Sequence, residues 1–333
     1  MRTTALGRRR ETAKRSERAR LRLVRLRTAS TPSSPNSLSK QKDEVRRRGR
    51  LSPHPHPPHT PSEMAIYSTV RTPGATLVPS AVLPSSAFAA GPALLLLPPS
   101  SLIQLLPSLK ALATSPIVIQ VSTAASSDHA PVLALRSAGL VLVYSSTESH
   151  AAANAIVAAS IAASGRGVIH FGEFSANKVD FGLPTAPAAP QASSSAFADA
   201  YAAAPAAAPF VTSGDASPST VILALGNTAA LAAALPPSTS LVSLSLYRPL
   251  APAALRALVP QSAKTVVVLE QTYSKSGKWS PVFLDVVGAF AESDEDAPVI
   301  LSGTLGTVTD GAAAAAQISG MYTRLTEERV SER

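Results

Sequence analysis

Two short apolar strings, LVSLSLY at 241–247 and KTVVVL at 264–269, flank a stretch of helical character at 251–259. Runs of this length, rich in Val and Leu, suit strands better than helices. A helical crossover between two such strands lays them parallel in one sheet. Parallel strands are buried on both faces, so this unit places the chain in the α/β class and demands further strands and helices around it.

The same alternation recurs upstream. PIVIQVS (116–122), LVLVYS (140–145) and GVIHFGEF (167–174) read as strands. Between them, DHAPVLALRSAG is a short helix ended by Gly139. ESHAAANAIVAASIAAS is an Ala-rich helix entered through a Ser145/Glu148 capping box and closed by Gly165. Before them, SLIQLLPSLKALA (101–113) is helical up to a bend or stop at Pro107, and 65–100 shows no clean period. Downstream, STVILALG and APVILSG add two strands to those at 241–247 and 264–269. TAALAAALP and PVFLDVVGAFAE are helices between them, and LGTVTDGAAAAAQISGMYTRL closes with a helix.

The expected organisation is therefore α/β, with two three-layer domains of mainly parallel sheet at 64–182 and 218–325. The segment 183–217, rich in Ala, Pro and Ser, is expected to link them and to hold a short helix near 195–204. A basic leader spans 1–63 and a tail spans 326–333. Hydrophobic residues make up 45% of the chain but aromatics only 5%, so burial rests on a few Leu, Val and Ile strings.

Charge is unevenly distributed. The net +9 arises entirely in residues 1–63, which hold 17 Lys or Arg against 5 Asp or Glu; the rest holds 13 against 16. The leader reads as a disordered or read-through segment with Met64 as the functional start. An Arg-rich organelle transit segment and an arm for anionic surfaces are the other readings. Nucleic acid is not an expected partner, because the folded part is near-neutral to acidic. Absence of Cys excludes disulfides, thiolate metal sites and Cys nucleophiles. No run reaches the roughly 18–20 apolar residues that span a bilayer, so no membrane association is expected. His54, His56 and His59 lie among prolines, a poor setting for preorganised metal ligands.

Candidate site residues sit at strand ends, where α/β sheets bind ligands. His129, following Asp128, and His170 with Glu173 suit acid–base work, with sheet-edge hydrogen bonding as the plainer reading. Arg248 and Glu270 end strands read as neighbours and are expected to pair. The turns Gly226-Asn227-Thr228 and Gly303-Thr304-Leu305-Gly306 suit either an anion at a helix N-terminus or a structural turn, without the full dinucleotide pattern. Lys275, Ser276 and Lys278 lie in a loop that lacks P-loop spacing.

Several of these segments, in order, resemble a known family. LYRPL, TVVVLEQTYSKSGKWSPVFLDVVGAF and VILSGTLG are similar to the second domain of pyruvate:ferredoxin (flavodoxin) oxidoreductases. SPIVIQVS, DHAPVLALRSAGLVLVYSSTESHAAANAIVAAS and GVIHFGEF resemble the later half of its pyrimidine-side thiamine-diphosphate domain. The likeness covers roughly 115–325 without the linker. It departs where the family's chemistry lies: Ala124 stands where the family has a substrate-contacting Arg, and Asp128-His129-Ala130-Pro131 replaces Asp-His-Gln-Asp. His170-Phe171-Gly172-Glu173-Phe174 replaces His-Phe-Phe-Asp-Gly-Phe, and 64–114 holds no counterpart of the thiamine-activating Glu.

A degenerate copy of this unit begins the flavoprotein (alpha) subunit of fungal NADPH-dependent assimilatory sulfite reductases, which the chain resembles better. That resemblance implies a non-catalytic scaffold or assembly region, itself binding no cofactor. FAD, FMN and NADPH would belong to missing downstream modules, making the chain a fragment. The implied partner is a haem-bearing sulfite reductase beta subunit, with self-association as a further possibility. The implied location is cytoplasmic, or mitochondrial if the leader is real. The alternative is a subunit of a thiamine-dependent 2-oxoacid oxidoreductase.

Overall fold

The computed structural model describes residues 65–68, 76–77, 93–123, 127–174, 195–272, 279–291, 297–306 and 311–331. The chain divides into two units, Met1–Pro57 and Pro58–Arg333, and all described residues belong to the second. Ala124, the histidines at 54, 56 and 59, and the loop of Lys275, Ser276 and Lys278 lie outside the described residues.

The first sheet contains β1 (Ala65–Ser68), β2 (Thr76–Leu77), β3 (Ala93–Leu97), β4 (Ile117–Ser122), β5 (Val141–Ser145) and β6 (Val168–Gly172). The second contains β7 (Phe210–Gly214), β8 (Thr220–Leu225), β9 (Thr239–Leu244), β11 (Thr265–Glu270) and β12 (Val299–Thr304). The short β10 (Leu246–Arg248) follows β9 in the chain but joins the first sheet. The orders are β10-β5-β6-β4-β3-β1-β2 and β12-β11-β8-β9-β7. All pairings are parallel except β10 on β5 and β7 on β9. The chain is thus α/β with two mainly parallel sheets, consistent with two three-layer domains. β3, β5 and β6 are buried at every residue, which accounts for their near-continuous aliphatic sequence.

The helices are α1 (Leu109–Ala113), α2 (Ala130–Leu133), α3 (Glu148–Ala163), α4 (Ser195–Ala202), α5 (Thr228–Ala232), α6 (Pro252–Ala257), α7 (Pro281–Ala291) and α8 (Gly311–Ser331). A 3₁₀ segment, Pro99–Ser108, precedes α1. Pro107 removes an N–H donor there, and the α-helix begins only after it, at Leu109. One face of the first sheet packs α3 through Val118, Val143, Val168, Val157 and Ile161. Its other face presents Ile119, Leu142 and Phe171 to a core shared with the second sheet. Leu223 of β8, Val268 of β11 and Val286 of α7 form the opposite side of that core.

The structure differs from expectation at four places. The string 241–247 is not one strand: it splits at Ser245, and its second half crosses to pair antiparallel with β5. The cap of α3 is Thr147, whose Oγ1 accepts the His150 N–H at 3.2 Å, while Ser145 ends β5 and turns inward. The segment 195–214, expected to contain only a short helix, holds both α4 and β7. Ala200 and Ala204 pack in the core beside α3, and Phe210 packs against the shared core. Residues 65–77, which show no clean period, contribute β1 and β2.

Candidate functional site

The carboxyl ends of β5, β6, β8 and β11 meet along a polar seam between the two sheets. Tyr144 Oη donates to the Gly226 carbonyl. The His129 N–H donates to the Gln271 carbonyl at 2.9 Å, and Gln271 Nε2 donates to the Ser127 carbonyl at 2.9 Å. Gln271 Oε1 accepts the Asn227 N–H at 3.0 Å. The Glu173 carboxyl lies beside the side chains of Tyr144 and Gln271, and both act on its pKa. The Tyr144, His129 and Ser127 bonds tie the first sheet to strand ends of the second, where an open α/β domain would hold its ligand.

Two glycines at these strand ends sit against neighbours within their own sheet. A Cβ on Gly172 would lie 2.0 Å from the Ser145 carbonyl oxygen, and one on Gly226 would lie 2.8 Å from Leu305 Cδ1. Only a residue without a side chain lets the backbone approach so near.

His129 and His170 are both fully buried but lie on opposite faces of the first sheet. The His129 ring sits against Tyr144 and Phe171, at centroid distances of 5.4 and 5.6 Å, and neither ring nitrogen has a hydrogen-bond partner among the described residues. Burial lowers its pKa to about 4, against a smaller opposing effect of Asp128. His170 points under α3: Nε2 is 2.9 Å from Ser145 Oγ, and the ring stacks on Phe174 at 4.7 Å. Burial lowers its pKa to about 3. Asn154 Nδ2 donates to both the Tyr144 carbonyl and Ser145 Oγ, each at 3.0 Å. The Ser145 hydroxyl can either donate to His170 Nε2 or accept from it, and burial keeps the ring neutral.

Glu173 lies in the seam itself. Burial raises its pKa to about 7, with the Tyr144 and Gln271 hydrogen bonds acting the other way. Burial also pushes the Tyr144 hydroxyl well above its ordinary range. Of the two histidines, only His129 shares this seam with Glu173, and it does so through Tyr144.

Arg248 and Glu270 do not form the expected pair. β8 lies between β9 and β11 in the second sheet, and β10 leaves that sheet at Ser245, so the two strand ends are not neighbours. Arg248 instead pairs with Asp285, which also accepts from Tyr247 Oη, and Arg248 Nε donates to the Arg136 carbonyl at 3.2 Å. Glu270 is fully buried, and its Oε1 accepts the N–H groups of Val282 (2.8 Å) and Phe283 (3.1 Å) at the start of α7. Burial raises its pKa, while a Ser280 hydrogen bond and those two N–H groups lower it. A carboxylate against a helix N-terminus is a structural anchor. Sequence reasoning missed Asp285, although it is the one charged residue in PVFLDVVGAFA, and a lone charge in an apolar helix signals a dedicated partner.

The turn at Gly226 is structural. Asn227 Oδ1 accepts the Ala230 N–H at 3.2 Å, and the five-residue α5 starts with Asn227 and Thr228 buried. At the other turn, Gly303 lies inside β12 and the Gly306 N–H donates to Gln317 Oε1 at 3.2 Å. Among the described residues, no three His, Cys, Asp or Glu side chains gather as metal ligands, and no helix is long and apolar enough to cross a membrane.

No family model matches the chain. It is similar to the protein named sulfite reductase [NADPH] subunit beta of Schizosaccharomyces pombe (strain 972 / ATCC 24843), with 34% identity over 87 residues. That match covers 26% of this chain and 6% of the relative. The likeness is to sulfite reductase. It falls on a subunit named beta, not on the flavoprotein (alpha) subunit expected from the sequence.

Proposed function

We propose that this chain is a non-catalytic scaffold or assembly region of an NADPH-dependent sulfite reductase. The observation that carries the reading is the polar seam. At the strand ends where an enzyme of this class would hold a reacting group, Tyr144, Gln271 and the His129 backbone are engaged in joining one sheet to the other, and Asn227 is tied to Gln271. The two histidines are deeply buried and neutral, and they lie on opposite sheet faces, so they cannot act on one substrate atom. The local likeness to a sulfite reductase subunit supports the assignment to that assembly. In this reading the flavins, NADPH and haem belong to other modules, and the partner is the rest of the sulfite reductase.

The test places His129→Phe and Glu270→Gln, separately, in the assembled sulfite reductase containing this chain. NADPH-driven sulfide formation per assembled complex is measured beside the amount of complex recovered. Turnover per complex should stay within about twofold, a change below about 0.5 kcal/mol in activation free energy, while recovery falls with stability. A normally assembled complex with at least tenfold lower turnover would overturn the proposal. So would saturable binding of thiamine diphosphate by the chain, which would favour a 2-oxoacid oxidoreductase.

A further inference from the structure

Tyr144 and Glu173 stand side by side where the first sheet meets the second. Tyr144 precedes Ser145, the last residue of β5, and the Glu173 N–H donates to the Ser145 carbonyl at 2.9 Å. That backbone bond fixes where the Glu173 side chain starts, and its carboxyl lies beside the Tyr144 side chain. A phenol carries one hydrogen. Here it goes to the Gly226 carbonyl just after β8, so it is used in the contact between the sheets. Glu173 Oε1 is left buried, without a hydrogen-bond partner among the described residues.

Two acceptors therefore compete for one hydrogen. A neutral carboxylic acid is the weaker competitor, and its own O–H can donate to Tyr144 Oη instead. An ionised carboxylate is a stronger acceptor than a carbonyl, since hydrogen bonds to charged groups are roughly twice as strong as neutral ones. Burial raises the Glu173 pKa to about 7, so both states are reached near neutrality. The surrounding elements supply no cation to hold it ionised: β5, β6, β8, β11, α2 and α3 contain no Lys or Arg. Their titratable groups are Tyr144, His170, Glu270, Glu148 and His150, with Asp128 and His129 just before α2. His129 and His170 are neutral in this range, and Glu270 is engaged with the start of α7.

We propose that Glu173 and Tyr144 form a proton-controlled latch between the two sheets. While Glu173 is protonated, Tyr144 donates to Gly226 and the latch is closed. When Glu173 ionises, its carboxylate takes the Tyr144 hydroxyl hydrogen and the Gly226 carbonyl loses the phenol. Glu173 is half-buried, so the proton it gives up passes to solvent. The Gly226 carbonyl keeps the Thr228 N–H, at 2.6 Å. The His129–Gln271 and Gln271–Ser127 bonds do not involve the phenol, so the joint between the sheets loosens at one point rather than opening. The latch stands apart from the sulfite reductase reading, since it concerns only how firmly the two sheets are joined as pH changes.

The test reads the Gly226 carbonyl directly by NMR. Gly226-Asn227 is the one Gly-Asn pair in the sequence. The full chain, labelled with carbon-13 at glycine carbonyls and nitrogen-15 in asparagine, therefore gives a single carbonyl–amide correlation. It is titrated from about pH 5.5 to about pH 8.5, beside Glu173→Gln and Tyr144→Phe. In the wild type the carbonyl resonance should move upfield, as a hydrogen bond is lost, in one titration centred near pH 7. Glu173→Gln, whose amide donates as the protonated acid does, should hold it at the low-pH position throughout. Tyr144→Phe should hold it at the high-pH position. A wild-type carbonyl that does not titrate would overturn the proposal, and so would a titration that survives in either folded variant. Either variant decides if the other does not fold.

Discussion

His129→Phe isolates the energetic consequence of a buried, neutral histidine. In the folded chain the ring titrates at about 4, against 6.5 for the ordinary group. Because the folded value is depressed, the unfolded chain takes up the proton first as pH falls. Stability is fully present above pH 6.5 and is lost as pH falls towards 4. Each pH unit in that window costs about 1.4 kcal/mol, so moving from about pH 7.5 to about pH 4.5 removes about 2–3 kcal/mol through this residue alone. Phenylalanine keeps a ring against Tyr144 and Phe171 but carries no proton. Any packing offset is the same at both pH values and cancels in the comparison, as do the titrations of His170, Glu173 and Glu270. Urea unfolding of both proteins at the two pH values gives the difference directly. The variant should gain about 2–3 kcal/mol on the wild type between those two pH values. An identical difference at both values would refute the reasoning, because it would mean that folded His129 takes up its proton as readily as the unfolded chain.

Glu173 works in the opposite direction. Its folded pKa is raised to about 7, so its contribution is complete below about 4.5 and is lost as pH rises through 7. Glu173→Gln should therefore gain on the wild type as pH rises from about 5 to about 8, by on the order of 1–2 kcal/mol after allowance for partial solvent screening. Denaturant midpoints at the two pH values test this, and a constant difference would count against it. Gly172→Ala drives a methyl group into the Ser145 carbonyl. It should cost about 3 kcal/mol or more, since backbone rather than a flexible side chain must move. A melting temperature within a degree or two of the wild type would show that the β5–β6 backbone gives way easily there.

Most of the strands and helices were legible in the sequence because their periodicity is local. VLVYS and TVVVLE are aliphatic over a strand's length, and ESHAAANAIVAASIAA is long, Ala-rich and closed by glycine, so each element follows from its own residues. What the sequence could not show is where these elements meet. Nothing local in LVSLSLYR says that its second half joins another sheet, since both halves have the same alternating pattern. That crossing carried Arg248 to Asp285, while β8, placed between β9 and β11, keeps Glu270 apart from it to anchor α7. Likewise, the sequence placed His129 and His170 near strand ends as candidate acid–base groups. Only the tertiary structure set them on opposite sheet faces and removed both from water, because burial and facing depend on packing between distant segments.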